Sequence, residues 1–130
     1  MPAKINGLGK GDILRHKKAI TYLFQDKDAL KIQSFPLKFI LADNAIIRDE
    51  PVQVLFVVPS RVIRKAHNRN LIRRRIKEAY RLRKQEIQTI LAKHGQKNIG
   101  ILYISQEVMS FNQINKSIIK IIHELTQKFK

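Results

Sequence analysis

The sequence predicts one α+β domain, a small two-layer sandwich in which helices pack on a four-stranded sheet. Two observations indicate this class. The 130 residues match the usual length of one domain, and the hydrophobic content of 44% is ordinary for a folded chain. Segments with helical and strand periodicity also follow one another in the order α-β-β-β-α-β-α. We therefore treat 1–130 as one domain, with residues 1–10 as a mobile N-terminal segment.

The first half of the chain supplies a helix and the first strands. Asp12 is a good N-cap residue, so we expect a helix from there to Phe24. Residues 34–42 (SFPLKFILA) are typical of a strand, and the short run 45–48 lies between turn-forming residues. The β-branched run VQVLFVV at 52–58 favours a strand buried on both faces.

The second half is a long basic helix, a strand and a final helix. Residues 61–84 have helical periodicity that can extend to His94, where Gly95 is a typical stop. Residues 98–105 (NIGILYIS) favour a strand, parallel to the one at 52–58 if both share a sheet and by default joined in a right-handed crossover. A helix over 111–128 closes the chain. The apolar stripes comprise Ile72, Ile76, Ala79 and Tyr80 in the basic helix, and Ile114, Ile118, Ile121, Ile122 and Leu125 in the last.

The charge of the chain is strongly one-sided. The formal net charge is +16, and residues 61–84 hold 11 of the 26 Lys and Arg residues but only one acid, Glu78. An ordinary solvated helix face mixes both signs, whereas this one does not. A field concentrated on one element indicates a polyanionic partner, and nucleic acid fits best.

The inventory of reactive side chains is poor. There is no Cys, the four His show no metal-ligand spacing, and no glycine-rich phosphate loop is present. We therefore predict no catalytic residue and no metal site in this chain. No apolar run is long enough to span a membrane and no apolar leader precedes the domain, which favours a cytoplasmic protein.

Phosphate recognition is the chemistry that the basic helix offers. Its outer band consists of Asn70, Arg73, Arg74, Lys77, Arg81 and Lys84. Arginine can bind phosphate oxygens with two parallel hydrogen bonds. Tyr22, Phe24 and Phe39 can line a groove in which unpaired bases stack, although core packing is the commoner role of such residues.

The string RKAHNRNLIRRRIKEAYRL at 64–82 resembles the signature of the bacterial ribonuclease P protein subunit. The matching positions are Lys65-Ala66, Arg69-Asn70, Arg73-Arg74, Lys77-Glu78 and Tyr80-Arg81. The likeness extends over residues 8–128, through LRHKKAITYLF, PVQVLFVVP and NIGILYIS. The chain departs from the family pattern where Leu71 replaces an arginine, at His67 and Asn68, and where Ile20 replaces a frequent phenylalanine.

The resemblance implies both a fold and an activity. The fold would be an α–β sandwich with a left-handed strand–helix–strand crossover, against the right-handed default. The chain would be the accessory subunit of an endoribonuclease that removes the 5′ leader of precursor tRNA. Its partners would be ribonuclease P RNA and precursor tRNA, with no membrane and no obligate protein partner. Catalysis would belong to the RNA, with Mg²⁺ held mainly by that RNA.

The resemblance also implies two binding surfaces. The residues expected to contact the catalytic RNA are Arg69, Asn70, Arg73, Arg74, Lys77 and Arg81. The leader is expected in a cleft between the first helix and the sheet, lined by Ile20, Phe24 and Phe39. Strand parity leaves open whether Phe39 or its neighbours Lys38 and Ile40 face that cleft.

Three other functions share part of this evidence. A ribosomal or general RNA-binding protein would bind many RNAs without changing the rate of leader removal. A DNA-binding module would place the basic helix in the major groove, but the apolar stripe commits one side of that helix to the core. A stand-alone nuclease would cut with Mg²⁺ in the absence of added RNA.

Overall fold

The computed structural model describes residues 12–43 and 52–129. The helices are α1 (Lys17–Gln25), α2 (Ala66–Leu91) and α3 (Phe111–Lys128), and a 3-10 turn, Ala92–His94, extends α2. The strands are β1 (Leu30–Ser34), β2 (Leu37–Asp43), β3 (Val52–Val57) and β4 (Lys97–Tyr103). The predicted element order is therefore confirmed. The predictions for 1–10 and 45–48 fall outside the described residues.

The four strands form one mixed sheet in the order β1-β2-β4-β3. β2 pairs antiparallel with both β1 and β4, whereas β3 pairs parallel with β4. The strands that flank α2 are thus parallel neighbours, as the sequence predicts. The handedness of their crossover stays a prediction. Within the described part of the chain, no helix is long and apolar enough to cross a membrane.

The core lies mainly on one face of the sheet. α2 and α3 pack there, and the predicted apolar stripes of both helices are buried. The helix α1 covers part of the opposite face, where Ala19 and Leu23 pack against Ile40 and Ala42 of β2. The α+β sandwich is confirmed, and α1 adds a partial third layer to it.

The start of α1 differs from the prediction. Asp12 is not its N-cap, because His16 holds that position and its Nδ1 accepts a hydrogen bond from the Ala19 N–H at 3.4 Å. The preceding residues have other partners. The Leu14 N–H donates to the Val54 carbonyl at 2.9 Å, and Asp12 pairs with Lys84 at 2.8 Å. Local capping rules place Asp12 and Leu14 in the helix. They lie outside it because they bind distant residues instead.

The predicted strand at 34–42 also needs correction. A turn at Phe35-Pro36, which contains a cis peptide bond, separates Ser34 at the end of β1 from Leu37 at the start of β2. Proline has no N–H for a sheet ladder, so the run cannot continue as one strand.

The strand β3 is buried on alternate residues and not on both faces along its length. Val52, Val54 and Phe56 are buried in the main core, whereas Leu55 on the other face is half-buried. The reason is that β3 is an edge strand and α1 covers its outer face only in part.

The helix α2 begins at Ala66 and not at Arg61, where the stretch predicted to be helical starts, but its C-terminal end follows the predicted signal. Gly95, with φ of +87°, ends the turn after α2, because this left-handed conformation suits glycine. α3 begins at a capping box, in which Ser110 and Gln113 each accept from the other's backbone N–H.

Candidate nucleic-acid interface

The outer face of α2 carries the predicted basic band. Asn70, Arg74 and Lys77 are exposed, while Arg73 and Arg81 are half-buried at its sides. Behind this band the stripe that includes Ile72 and Ile76 is fully buried against the sheet and α3. The buried stripe fixes the rotation of the helix, so the cations face solvent together.

Three of the predicted RNA-contact residues, Asn70, Arg73 and Arg81, already have partners on α2. Arg73 Nη1 donates to Asn70 Oδ1 at 2.9 Å, which links two residues of the band. Arg81 donates to both carboxylate oxygens of Glu78, at 2.6 and 2.9 Å. The hydrogen bond from Arg81 lowers the pKa of Glu78, because it stabilises the charged form of the carboxylate. Arg81 must therefore leave or share Glu78 in order to bind a phosphate.

Arg69 has a structural contact that sequence reasoning did not predict. Its Nη1 donates to the carbonyl oxygens of Ile63 at 3.0 Å and Arg64 at 2.7 Å. Arg69 thereby holds the loop that leads into α2. The side chains of Arg74 and Lys77, in contrast, make no hydrogen bond or ion pair with any other residue that the structure describes.

The second predicted surface lies beside α1 on the other face of the sheet. Ile20 is half-buried and Phe24 is 42% exposed, one turn apart on the same flank of the helix. Gly100 of β4 lies beneath Leu23 and Phe24, where a Cβ atom would be 3.1 Å from Leu23 Cδ2 and 3.6 Å from Phe24 Cζ. The missing side chain at position 100 lets α1 lie close against the sheet.

The structure does not place Phe39 in this cleft. Phe39 is 1% exposed and belongs to the core that β2 shares with α2 and α3. Side chains alternate between faces along a strand, so its neighbour Ile40 points towards α1. The face towards α1 is therefore that of Lys38 and Ile40, the alternative that strand parity left open in the sequence.

Sequence reasoning named Lys38 as an alternative but did not predict Leu102 and Val57 on this face of the sheet. Lys38, Leu102 and Val57 lie directly opposite one another in β2, β4 and β3, and all three are half-buried. By strand alternation they share the sheet face of Ile40 and continue beyond the part that α1 covers. This row is identified by the way β2, β4 and β3 pair with one another, and the sequence of one strand does not reveal that pairing.

Tyr22 belongs to a different place. It is 49% exposed on the other flank of α1 and borders a pocket with Asp26, Asp28 and Asp43. Lys97 also lines this pocket, but three carboxylates against one lysine leave its described lining negative, which disfavours a phosphate backbone. Of the aromatic residues that the sequence suggests for base stacking, Phe24 alone has both the exposure and the position.

Comparisons with known proteins agree on one family. The family model described as Ribonuclease P matches residues 8–126. The Ribonuclease P protein component of Chlorobaculum tepidum is 36% identical over 91 residues, which cover 68% of this chain and 58% of that protein. The protein of the same name from Chlorobium phaeobacteroides is 30% identical over 131 aligned positions, which cover 93% and 89% of the two chains.

Two solved structures share the fold. The RNase P protein of Staphylococcus aureus superposes with a TM-score of 0.65 at 16% identity, covering 92% of this chain and 98% of its own. The RNase P protein of Thermotoga maritima also gives a TM-score of 0.65, at 17% identity, covering 86% and 96%. The order of strands and helices described above is thus the fold of these proteins.

The contact of Arg69 with the loop generates a test. Arg69→Lys keeps the charge, but its ammonium ends one bond short of the Nη1 position from which Arg69 donates to both carbonyl oxygens, a loss worth about 1.5 kcal/mol. We expect the Ile63 N–H, which donates to the Pro59 carbonyl, to exchange with solvent roughly tenfold faster. Hydrogen–deuterium exchange measures this. Arg74→Lys on the exposed band is the control, and equal exchange in both variants would refute the bracing role.

Proposed function

The chain belongs to the ribonuclease P protein family, and we propose that it binds the catalytic RNA of ribonuclease P and the 5′ leader of precursor tRNA. In this role it assists the endonucleolytic cut that gives the mature 5′ end of tRNA. The observation that carries the proposal is the basic face of α2, whose rotation the buried stripe at Ile72 and Ile76 fixes. The site of this maturation would be the cytoplasm.

The catalytic RNA would dock on the basic face of α2. Arg73, Arg74 and Lys77 lie on adjacent turns of one rigid helix, so they can contact successive phosphates. The hydrogen bond from Arg73 to Asn70 limits the rotation of the guanidinium and leaves its other nitrogens for a phosphate. Neutralising phosphates releases counterions, which makes the affinity depend steeply on salt.

The leader would lie in the cleft beside α1. Phe24 offers an exposed ring for stacking, and Ile20 with Leu102 supplies apolar surface next to it. Lys38 adds one cation at the cleft floor for the backbone of the strand. Aromatic and apolar surface combined with isolated cations is how single-stranded nucleic acid is usually held.

The cleavage step is proposed to belong to the RNA. Among residues 12–43 and 52–129, no group of three or more His, Asp or Glu side chains is placed to hold a metal ion. Mg²⁺ would be bound mainly by phosphates of the RNA, where it would activate the attacking water and stabilise the leaving oxygen. The chain contributes by reducing repulsion between two RNA molecules and by retaining the leader.

The docking face predicts a change in salt dependence. Arg73→Gln and Arg74→Gln should each weaken binding to bacterial ribonuclease P RNA. Each should also flatten the plot of log K against log salt by about one unit for every phosphate that is no longer neutralised. Binding assays over a series of KCl concentrations measure the slope. Lys116→Gln, an exposed position on α3, is the control, and an unchanged slope in the Arg73 and Arg74 variants would contradict this face.

The cleft predicts a loss of discrimination between precursor and product. Phe24→Ala should lower the preference for precursor over mature tRNA about tenfold, because stacking on an aromatic ring stabilises each base by roughly 1–3 kcal/mol. Ile20→Asp should act in the same direction. Affinities of the reconstituted enzyme for both tRNA forms give the ratio, and melting curves establish that each variant folds.

Tyr22→Ala is the matched control for Phe24→Ala. Both rings are exposed on α1 to a similar extent, but Tyr22 lies on the opposite flank beside carboxylates. We expect this variant to retain the preference for precursor tRNA. A folded Phe24→Ala variant that also retains it would show that the leader binds elsewhere.

A further inference from the structure

A third surface, separate from the two above, lies where the loop before α2 faces the loop after β4. The groove between these loops has a volume of about 390 Å³. Its lining includes three cations, two carboxamides and apolar side chains, namely Arg61, Arg64, Lys65, Asn68, Gln106 and Val108. None of these residues belongs to the basic face of α2 or to the cleft beside α1.

Both walls of the groove are held in place by arginines of α2. Arg69 binds the carbonyl oxygens of Ile63 and Arg64 on one wall. On the other wall, Arg75 Nη1 donates to the Met109 carbonyl at 2.6 Å, across 34 residues of sequence.

Tyr103 adds a second attachment to the loop after β4. Its hydroxyl accepts from the Met109 N–H at 3.0 Å and donates to the Glu107 carbonyl. The shape of the groove is therefore fixed before any ligand arrives, which lowers the entropy cost of binding.

The lining indicates the chemistry of the ligand. Among the residues that the structure describes, the lining has three cations and no acid, which favours an anion such as a phosphate. A phosphate alone would leave the rest of the groove unused, because Val62 and Val108 offer apolar surface and Val108 is 41% exposed. Asn68 and Gln106 each have a side-chain amide, which can both donate a hydrogen bond to a base edge and accept one from it.

We propose that this groove binds one unpaired nucleotide of the partner RNA. The phosphate lies against Arg61, Arg64 and Lys65, and the base enters between the two loops with its edge towards Asn68 and Gln106. Bases in a duplex are stacked and inaccessible to such a groove, so the nucleotide comes from a bulge, a loop or a single-stranded joint. The proposal rests on the function proposed above, since it names a further contact within the same complex.

A pair of charge substitutions tests the groove. Val108 and Ile119 are equally exposed, at 41% and 42%, but Ile119 lies on α3 away from the groove. Val108→Glu should weaken binding to bacterial ribonuclease P RNA about tenfold, because it places a carboxylate where the base enters. Ile119→Glu, with the same change in charge, should leave the affinity within about twofold of the unsubstituted chain.

Cross-linking identifies the nucleotide itself. The chain has no cysteine, so Val108→Cys and Ile119→Cys each give one site for a photoreactive label. Label at position 108 should cross-link to one or two unpaired nucleotides of the RNA, and excess unlabelled protein should abolish the product. Cross-links confined to paired regions, or the same yield from position 119, would overturn the proposal.

The outcomes separate this inference from the proposed function. If the unsubstituted chain binds the RNA and Val108→Glu binds as tightly as Ile119→Glu, the groove proposal is wrong and the function stands. If the unsubstituted chain does not bind ribonuclease P RNA, both are wrong.

Discussion

The amphipathic helix α2 is the constraint on which the rest of the molecule depends. Its buried stripe, with Ile72 and Ile76 fully enclosed, fixes the rotation of the helix against the sheet and α3. The cations on the remaining surface of α2 therefore face solvent. Two further arginines, Arg69 and Arg75, extend from the same helix to hold the loops on either side of its N-terminal end. One helix thus orients the basic face and holds both walls of the adjacent groove.

The opposite face of the sheet obeys a different constraint, the close approach of α1. Gly100 permits that approach, and strand alternation then decides which side chains remain beside the helix. Ile40 is covered, while the row through Leu102 stays half-buried at the open flank where Phe24 lies. Because the sheet separates this surface from α2, the two proposed RNA-binding surfaces share no side chains.

Sequence patterns predict the elements whose signals are local. The stripes of α2 and α3, the stop at Gly95 and the element order all follow from periodicity and capping chemistry. The predictions are wrong where the position of a side chain depends on residues that are distant in the sequence. Asp12 pairs with Lys84 and does not cap α1, and Phe39 faces the main core because of the register of β2. The groove joins loops more than 40 positions apart, so no local pattern could reveal it.

The central claim is that this chain assists an RNA catalyst. It is tested most directly with 5′-labelled precursor tRNA at a Mg²⁺ concentration too low for ribonuclease P RNA to act alone. The reactions contain the RNA, the protein, both, or both with excess mature tRNA. The account predicts that the leader is released only when both are present, and that mature tRNA competes weakly. Cleavage by the protein alone, or RNA binding without any cleavage in the mixture, would contradict it.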